Sequence, residues 1–181
     1  MKRLSLPIRS LLATLAVTVA FSSADAQRLV VSHDEWLTEN GFFNANEQAF
    51  MSNVLTWFGA GAGGSVLIYS NSGALNNVAF ASYLSGKGIT RTVDANAASF
   101  AGYNAIFVEA NALMNVPALT SYIQSGGNVF YIGGTGFPNA PGEAAYSNPL
   151  LNAFGFTFAS QYNGLGTTNT APFAGSAPFG A

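Results

Sequence analysis

The chain has 181 residues, no cysteine, one histidine and few charged side chains, 8% of the total. The absence of thiols excludes thiol catalysis, iron–sulfur clusters and cysteine-type zinc sites, and one histidine without a second nitrogen ligand argues against any other zinc site. The net charge of −2, with no basic cluster, argues against nucleic acid and anionic membrane surfaces as partners.

The first 26 residues have the features of a signal peptide. Three cations lie within residues 1–9, an apolar run covers residues 11–21, and Ala24-Asp25-Ala26 has the small-x-small pattern that signal peptidase cleaves. The apolar run is shorter than the roughly 20 residues that a membrane-spanning helix needs, although an uncleaved anchor is the alternative. We therefore expect cleavage before Gln27, export to the periplasm or the exterior, and no membrane segment in the mature form.

Strand and helix patterns alternate from residue 27 to about residue 160. Short apolar runs predict strands over residues 29–32, 65–69, 89–93, 104–108 and 128–132, with a further strand at 156–158. Apolar residues at helical spacing predict four helices between and after these strands. This alternation is typical of an α/β domain with a doubly wound, mostly parallel sheet, a flavodoxin-like three-layer sandwich. Residues 161–181, rich in Gly, Thr, Asn and Pro, predict a flexible tail or the truncated end of the domain.

Some positions within this pattern are predicted in more detail. The first strand is interpreted as buried, the third as nearer an edge and the fourth as central. Asn44 and Glu47 predict a capping box at the start of the first helix. Ser72 or Asn71 is the predicted N-cap of the second helix. The last helix is predicted from about residue 143 to residue 154.

Three segments of the second half resemble a known family. They are Tyr103 to Val108, Leu119 to Ile123 and Gly126 to Gly134, the last reading GGNVFYIGG. Together they resemble class I glutamine-amidotransferase-like domains, especially the non-amidase ThuA-like relatives. Three segments of the first half, His33 to Trp36, Gly41-Phe42 and Asn53 to Trp57, also resemble an exported bacterial family of uncharacterised function.

The resemblance implies a flavodoxin-like fold whose nucleophile is missing. Active amidotransferases present a cysteine in a Gly-x-Cys-x-Gly turn after a central strand, whereas the corresponding turn here, residues 132–136, has Gly134 at that position. The only histidine, His33, lies in the wrong segment for that family's base. Thiol-dependent glutaminase activity is therefore excluded, and no residue is assigned a catalytic role.

Four polar segments follow predicted strands and are expected at one edge of the sheet. In open α/β sheets, ligands bind outside the carboxyl ends of the strands. The segments are His33-Asp34-Glu35, Ser70 to Gly73, Glu109-Ala110-Asn111 and Gly133 to Gly136. The candidate ligand-binding residues at this edge are His33, Asp34, Glu35, Glu109, Asn111, Gly134 and Thr135.

The carboxylates of this edge allow three interpretations. Asp34, Glu35 and Glu109, with an asparagine, offer the oxygen ligands that calcium takes. Paired carboxylates also suit acid–base chemistry on a glycoside. Alternatively, Asp34 and Glu35 only cap the loop and helix ends, with His33 hydrogen-bonded locally.

Two further features have a functional and a structural interpretation. Thr135 would act as a hydroxyl nucleophile only with His33 as its base, and otherwise the neighbouring glycines allow close backbone approach and positive φ. The aromatic residues Trp36, Phe42 and Phe43 either stack on a sugar ring or form a hydrophobic staple onto the first helix.

These observations predict an exported, non-catalytic α/β domain that binds a small molecule or a glycan at the carboxyl edge of its sheet. No cofactor is expected, calcium excepted. The first alternative is a carbohydrate-active or metal-assisted hydrolase that uses Asp34, Glu35 and Glu109. The second alternative is a structural surface protein without a small-molecule site.

Overall fold

The computed structural model describes residues 28–70, 73–110, 114–134 and 139–161, apart from the side chain of Glu35. Five strands form one sheet: β1 (Arg28–Ser32), β2 (Ser65–Tyr69), β3 (Thr90–Val93), β4 (Ala105–Glu109) and β5 (Asn128–Ile132). Four helices accompany them: α1 (Ala45–Trp57), α2 (Val78–Gly86), α3 (Val116–Gln124) and α4 (Ala140–Leu151). All strand pairs are parallel, in the order β1-β5-β4-β2-β3. The predicted α/β, doubly wound architecture is therefore confirmed.

Asparagines begin all four helices. Asn44 and Glu47 form the predicted capping box at α1. The Asn44 side chain accepts a backbone N–H of the first helical turn, and the Glu47 carboxylate accepts the Asn44 N–H. The N-cap of α2 is Asn77, so the prediction of Ser72 or Asn71 is wrong. Helix α4 begins after Asn139, three residues earlier than predicted, and a 3₁₀ turn at Asn152–Phe154 follows it.

Strand alternation divides the core into two apolar layers, one on each face of the sheet. On one face, α1 and α2 pack against strand residues such as Val66, Phe107 and Phe130. On the other face, α3 and α4 cover the neighbouring positions, such as Leu67 and Tyr131. Both faces are covered, which explains why the central strands are continuous apolar runs.

The strand order places a topological switch point between β2 and β4. The chain moves from β1 through α1 and α2 to β3 along one face, and returns from β3 through α3 to β5 along the other. In this arrangement, all connections between parallel strands have the same handedness. Connections therefore diverge at the β2–β4 pair, where sheets of this class leave a crevice at their carboxyl ends.

Three predictions about individual elements can be compared with this fold. β3 lies at an edge and β4 in the interior, as predicted. β1 is wrongly predicted as buried, because it forms the opposite edge and most of its residues are only partly covered. Residues 156–158 are not a strand, and the Phe158 N–H and carbonyl hydrogen-bond with the Asn148 side chain of α4 instead of with a strand.

Other predictions concern residues outside this description. The signal peptide, residues 1–26, and most of the predicted tail, residues 161–181, lie there, as do residues 71–72, 111–113 and 135–138 of the edge loops. In the part of the chain that is described, none of the helices combines the length and the apolar character that crossing a membrane requires.

Candidate functional site

The segment from His33 to Asn44, here called the strap, runs along the carboxyl edge of the sheet. It begins at the end of β1, and its middle is fixed to the start of α2. The Thr38 hydroxyl donates to the carbonyl of Ala74 at 2.5 Å, and the Asn77 amide donates to the carbonyl of Thr38 at 2.7 Å. Because β5 and β4 lie between β1 and β2, the strap crosses the ends of both central strands.

A buried carboxylate lies at the switch point beneath this edge. Glu109, the last residue of β4, is only 4% exposed. The hydroxyl of Ser70, directly after β2, donates to its carboxylate at 3.2 Å. Burial of a carboxylate costs free energy unless hydrogen bonds replace its contacts with water. The Ser70 hydroxyl provides such a hydrogen bond, and the contact connects the ends of β2 and β4.

Gly134, after β5, is packed beneath the strap. Its φ is +92°, and a Cβ added there would lie 2.7 Å from the carbonyl oxygen of His33. Its N–H donates to the carboxylate of Glu143, which is 3% exposed. Position 134, where the predicted resemblance would place a nucleophile, therefore has no room for a side chain. This geometry agrees with the structural interpretation of the glycines, close backbone approach with positive φ.

Glu143 belongs to a polar group on the α4 side of the sheet. The Tyr131 hydroxyl, fully buried, donates to the Ser147 hydroxyl at 2.8 Å. The ring of Phe158 packs edge-on against His33 at 4.5 Å. A cleft of about 30 Å³ remains beside these groups, lined in part by His33 and Glu143. That volume matches one water molecule and is too small for an organic ligand.

The buried tyrosine predicts a loss of stability in alkali. Burial raises the pKa of Tyr131 well above 10.0, and the Glu143 and Glu109 carboxylates add to the rise, which the Ser147 hydrogen bond partly offsets. Below pH 10 the hydroxyl is protonated in both the folded and the unfolded state. Above pH 10 only the unfolded state loses this proton, so the free energy of unfolding should fall by up to about 1.4 kcal/mol per pH unit from this residue.

Urea unfolding at pH 9, 10 and 11 measures this slope. We expect a shallower slope in Tyr131→Phe than in the parent chain. Tyr83 and Tyr122, whose pKa values burial also raises, keep part of the slope in both proteins. Equal slopes in the two proteins would show that Tyr131 ionises as readily folded as unfolded.

The residues predicted at the carboxyl edge have different surroundings. Glu109 is buried at the end of β4, and Gly134 lies partly buried beneath the strap, whereas His33 and Asp34 are exposed. Asp34 caps the 3₁₀ turn Glu35–Thr38, because its carboxylate accepts the Trp36 N–H at 3.0 Å.

The predicted calcium site stays a prediction. Asn111, Thr135 and the side chain of Glu35 lie outside the description. Among the side chains that are described, no three His, Asp or Glu lie together as a metal would require.

Glu143 and Ser147 are not among the residues predicted from the sequence, although a pattern there could have indicated them. They lie four residues apart in α4, and Leu150 and Leu151 continue the same helical face. A carboxylate at a position that helical spacing assigns to the apolar face needs a buried partner. The partner, Gly134, could not be identified, because helical spacing does not show which loop lies beneath that face.

An open groove lies at the β3 side of the same edge. It has a volume of about 630 Å³ between the strap, the first turns of α2 and the Arg91 side chain. Its described lining combines the apolar side chains of Val78 and Ala81 with six polar ones: Glu39, Asn40, Asn76, Asn77, Ser82 and Arg91. Arg91 is held in place by donating to the carbonyl of Leu75 at 3.4 Å. This groove is not predicted from the sequence, because Arg91 and Glu39 are brought together only by the sheet order.

The predicted aromatic patch divides into a buried and an exposed part. Phe43 is buried against Phe80 and Tyr83 of α2, with ring centroids 5.7 and 5.0 Å away. It therefore anchors the strap to α2, and it belongs to the same apolar cluster as Phe50 and Met51 of α1. Trp36 and Phe42 are each 49% exposed and pack edge-on against each other at 4.5 Å.

Comparison of the chain with protein-family models, with curated proteins and with solved structures gives no match. The likeness to glutamine-amidotransferase-like domains therefore remains a prediction from the residues quoted above.

Proposed function

We propose that the mature chain is a non-catalytic binding domain whose ligand lies in the groove between the strap and α2. The observation that carries this proposal is the groove itself, an opening of about 630 Å³ at the carboxyl edge. Pockets of about 300–1,000 Å³ are typical for small ligands. The cleft beside Glu143, at about 30 Å³, does not compete with it.

The groove is lined by side chains that the fold already holds in place. The Asn40 side chain accepts the Ala79 N–H at 2.9 Å, and the Asn77 side chain accepts the Phe80 N–H at 2.9 Å. These hydrogen bonds fix the walls before any ligand arrives. A pre-organised site loses less conformational entropy on binding, which favours recognition.

Two observations favour binding over catalysis. Gly134 stands where the resemblance predicts a nucleophile, and its surroundings leave no space for a reacting side chain. The hydrolase alternative requires Asp34 and Glu109 in one accessible site. Asp34 caps the 3₁₀ turn, and Glu109 is buried against Ser70, so no contact favours that alternative.

We also infer that the chain is exported. The positive start, the apolar run and the Ala24-Asp25-Ala26 pattern support this inference. Expression with the natural N-terminus in a Gram-negative host then yields periplasmic protein that begins at Gln27. Intact mass measurement distinguishes this product from a chain retained in the cytoplasm with Met1.

Blocking the groove tests the binding proposal. We expect Ser82→Trp to fill it, because Ser82 is an exposed residue of its α2 wall. Ser85→Trp, one turn further along α2 and outside the lining, is the matched control. Thermal unfolding is measured with monosaccharides, hexasaccharides, dicarboxylates, amino acids, nucleotides and inorganic phosphate. A ligand at about 100 times its Kd adds about 2.7 kcal/mol to the folded state.

At least one of these compounds should raise the Tm of the parent chain and of Ser85→Trp, but not that of Ser82→Trp. The proposal is wrong if none of them stabilises the parent chain. It is also wrong if the stabilisation persists in Ser82→Trp, because the ligand then binds elsewhere.

A further inference from the structure

Two exposed aromatic rings are held at the rim of the carboxyl edge by the strap. Trp36 and Phe42 are both 49% exposed, and their rings meet at 89°. The Glu39 N–H donates to the carbonyl of Trp36, and the Phe42 N–H donates to the carbonyl of Glu39, both at 3.1 Å. The backbone of Glu39 therefore connects the two rings, and the same residue lines the groove.

The groove offers many hydrogen-bonding groups and almost no net charge. Among its described lining residues, Glu39 is the only carboxylate and Arg91 the only cation. These two charges balance, so neither a phosphate nor a polycation is favoured. Carboxylate, amide and guanidinium groups each present two polar atoms in one plane, which suits adjacent hydroxyl groups of a ligand.

We propose that the ligand is a neutral carbohydrate, an inference that rests on the proposed function of the groove. The hydroxyl groups of the sugar hydrogen-bond with Glu39, Asn76 and Arg91, and a further sugar residue lays its C–H face on the Trp36–Phe42 pair. Val78, 74% exposed on the groove wall, adds an apolar contact for such a face. Sugar rings have apolar C–H faces and carry hydroxyl groups along their edges. A site that binds them therefore combines aromatic and polar surface.

A protein partner fits the same surface less well. Stable protein interfaces bury about 800 Å² on each side around an apolar core from which charged residues are depleted. Here the two rings adjoin a groove that contains Glu39 and Arg91. A polyhydroxylated ligand keeps those groups hydrogen-bonded, whereas an apolar protein surface would desolvate them.

Isothermal titration with neutral hexasaccharides tests the proposal. The probes are the hexasaccharides of glucan, xylan, mannan and chitin, and the exported mature protein is used. We expect binding of at least one probe by the parent chain. We expect about tenfold or greater weakening in Trp36→Ala, because this variant loses the larger of the two aromatic faces on which the sugar lies. Trp36→Phe, which keeps an aromatic face, should bind within about threefold of the parent chain.

Phe156→Ala is the matched control, because Phe156 is an exposed aromatic residue, 43% accessible, that does not line the groove. Its affinity should equal that of the parent chain. Thermal unfolding without ligand checks that each variant is folded. Should Trp36→Ala fail this check, Phe42→Ala and Glu39→Gln replace it and must weaken binding.

The outcomes separate the two proposals. The parent chain could bind a dicarboxylate, an amino acid, a nucleotide or phosphate but no hexasaccharide. If Ser82→Trp abolishes that binding, the carbohydrate proposal is wrong and the groove remains the binding site. If Trp36→Ala and Phe42→Ala bind the hexasaccharide as tightly as the parent chain does, the proposed contact of the sugar with the Trp36–Phe42 pair is wrong. Absence of all binding overturns both proposals.

Discussion

Substitution of Gly134 by alanine is expected to lower the free energy of unfolding by about 2–4 kcal/mol. Two costs combine at this position. A φ of +92° is a conformation that residues with a Cβ adopt at a cost of about 1–2 kcal/mol. The new methyl group would also lie 2.7 Å from the carbonyl oxygen of His33, and backbone moves less easily than a side chain. Overpacking of this kind costs about 1–3 kcal/mol.

Gly155→Ala separates these two costs. Gly155 also has a positive φ, +81°, but a Cβ there would have nothing within 4 Å. It should lose only the conformational part, about 1 kcal/mol. Urea unfolding followed by circular dichroism measures both variants. Equal losses in the two variants would mean that the strap does not press on Gly134, and the packing argument for a missing nucleophile would be withdrawn.

The strands could be predicted from the sequence because they are continuous apolar runs. The run from Ser65 to Tyr69 and the run from Asn128 to Ile132 agree with β2 and β5 residue for residue. Such runs arise where a parallel sheet is covered on both faces. The covering helices could be predicted for the same reason, since their apolar residues recur at helical spacing.

The position of β1 could not be predicted, because it depends on pairing between distant segments. Val30 pairs with Phe130, and no local pattern connects residues so far apart in the chain. The apolar run of β1 resembles that of an interior strand, although the structure places it at an edge. Its apolar residues face the two core layers, because Val30 belongs to one layer and Leu29 and Val31 pack against the other.

The sequence was sufficient to predict that the candidate site lies at the carboxyl edge of the sheet, but not which residues contact each other there. Glu109 ends β4 and Gly134 follows β5, so their location at the carboxyl edge follows from the fold class. The start of the second helix was predicted wrongly, because the helix was assumed to follow directly after Gly73. The carbonyl of Ala74 instead accepts hydrogen bonds from Thr38 and Asn77, which holds this stretch as a turn. Gly73, Asn76 and Asn77 of this stretch line the groove.

Replacement of Glu143 by alanine is expected to cost about 2–3 kcal/mol. The Glu143 carboxylate accepts the N–H of Gly134, and it is 3% exposed. A hydrogen bond to a charged group contributes about 1.5–3 kcal/mol, and a buried donor left without a partner costs a similar amount. Glu143→Gln keeps one acceptor oxygen in nearly the same volume, so it should lose about 1 kcal/mol. Urea unfolding at pH 7 measures both.

Glu47 provides the matched control for this prediction, because it performs a similar task with less burial. Its carboxylate accepts the Asn44 N–H at 3.1 Å in the capping box of α1. There, water replaces the lost acceptor, so Glu47→Ala should cost about 0.5–1 kcal/mol. If Glu143→Ala cost no more than Glu47→Ala, the buried carboxylate would not be holding the turn after β5. The strap would then owe its position to its contacts with α2 and the turn before it, through Phe43, Thr38 and Asn40, and Gly134 would be packed by the strap without support from α4.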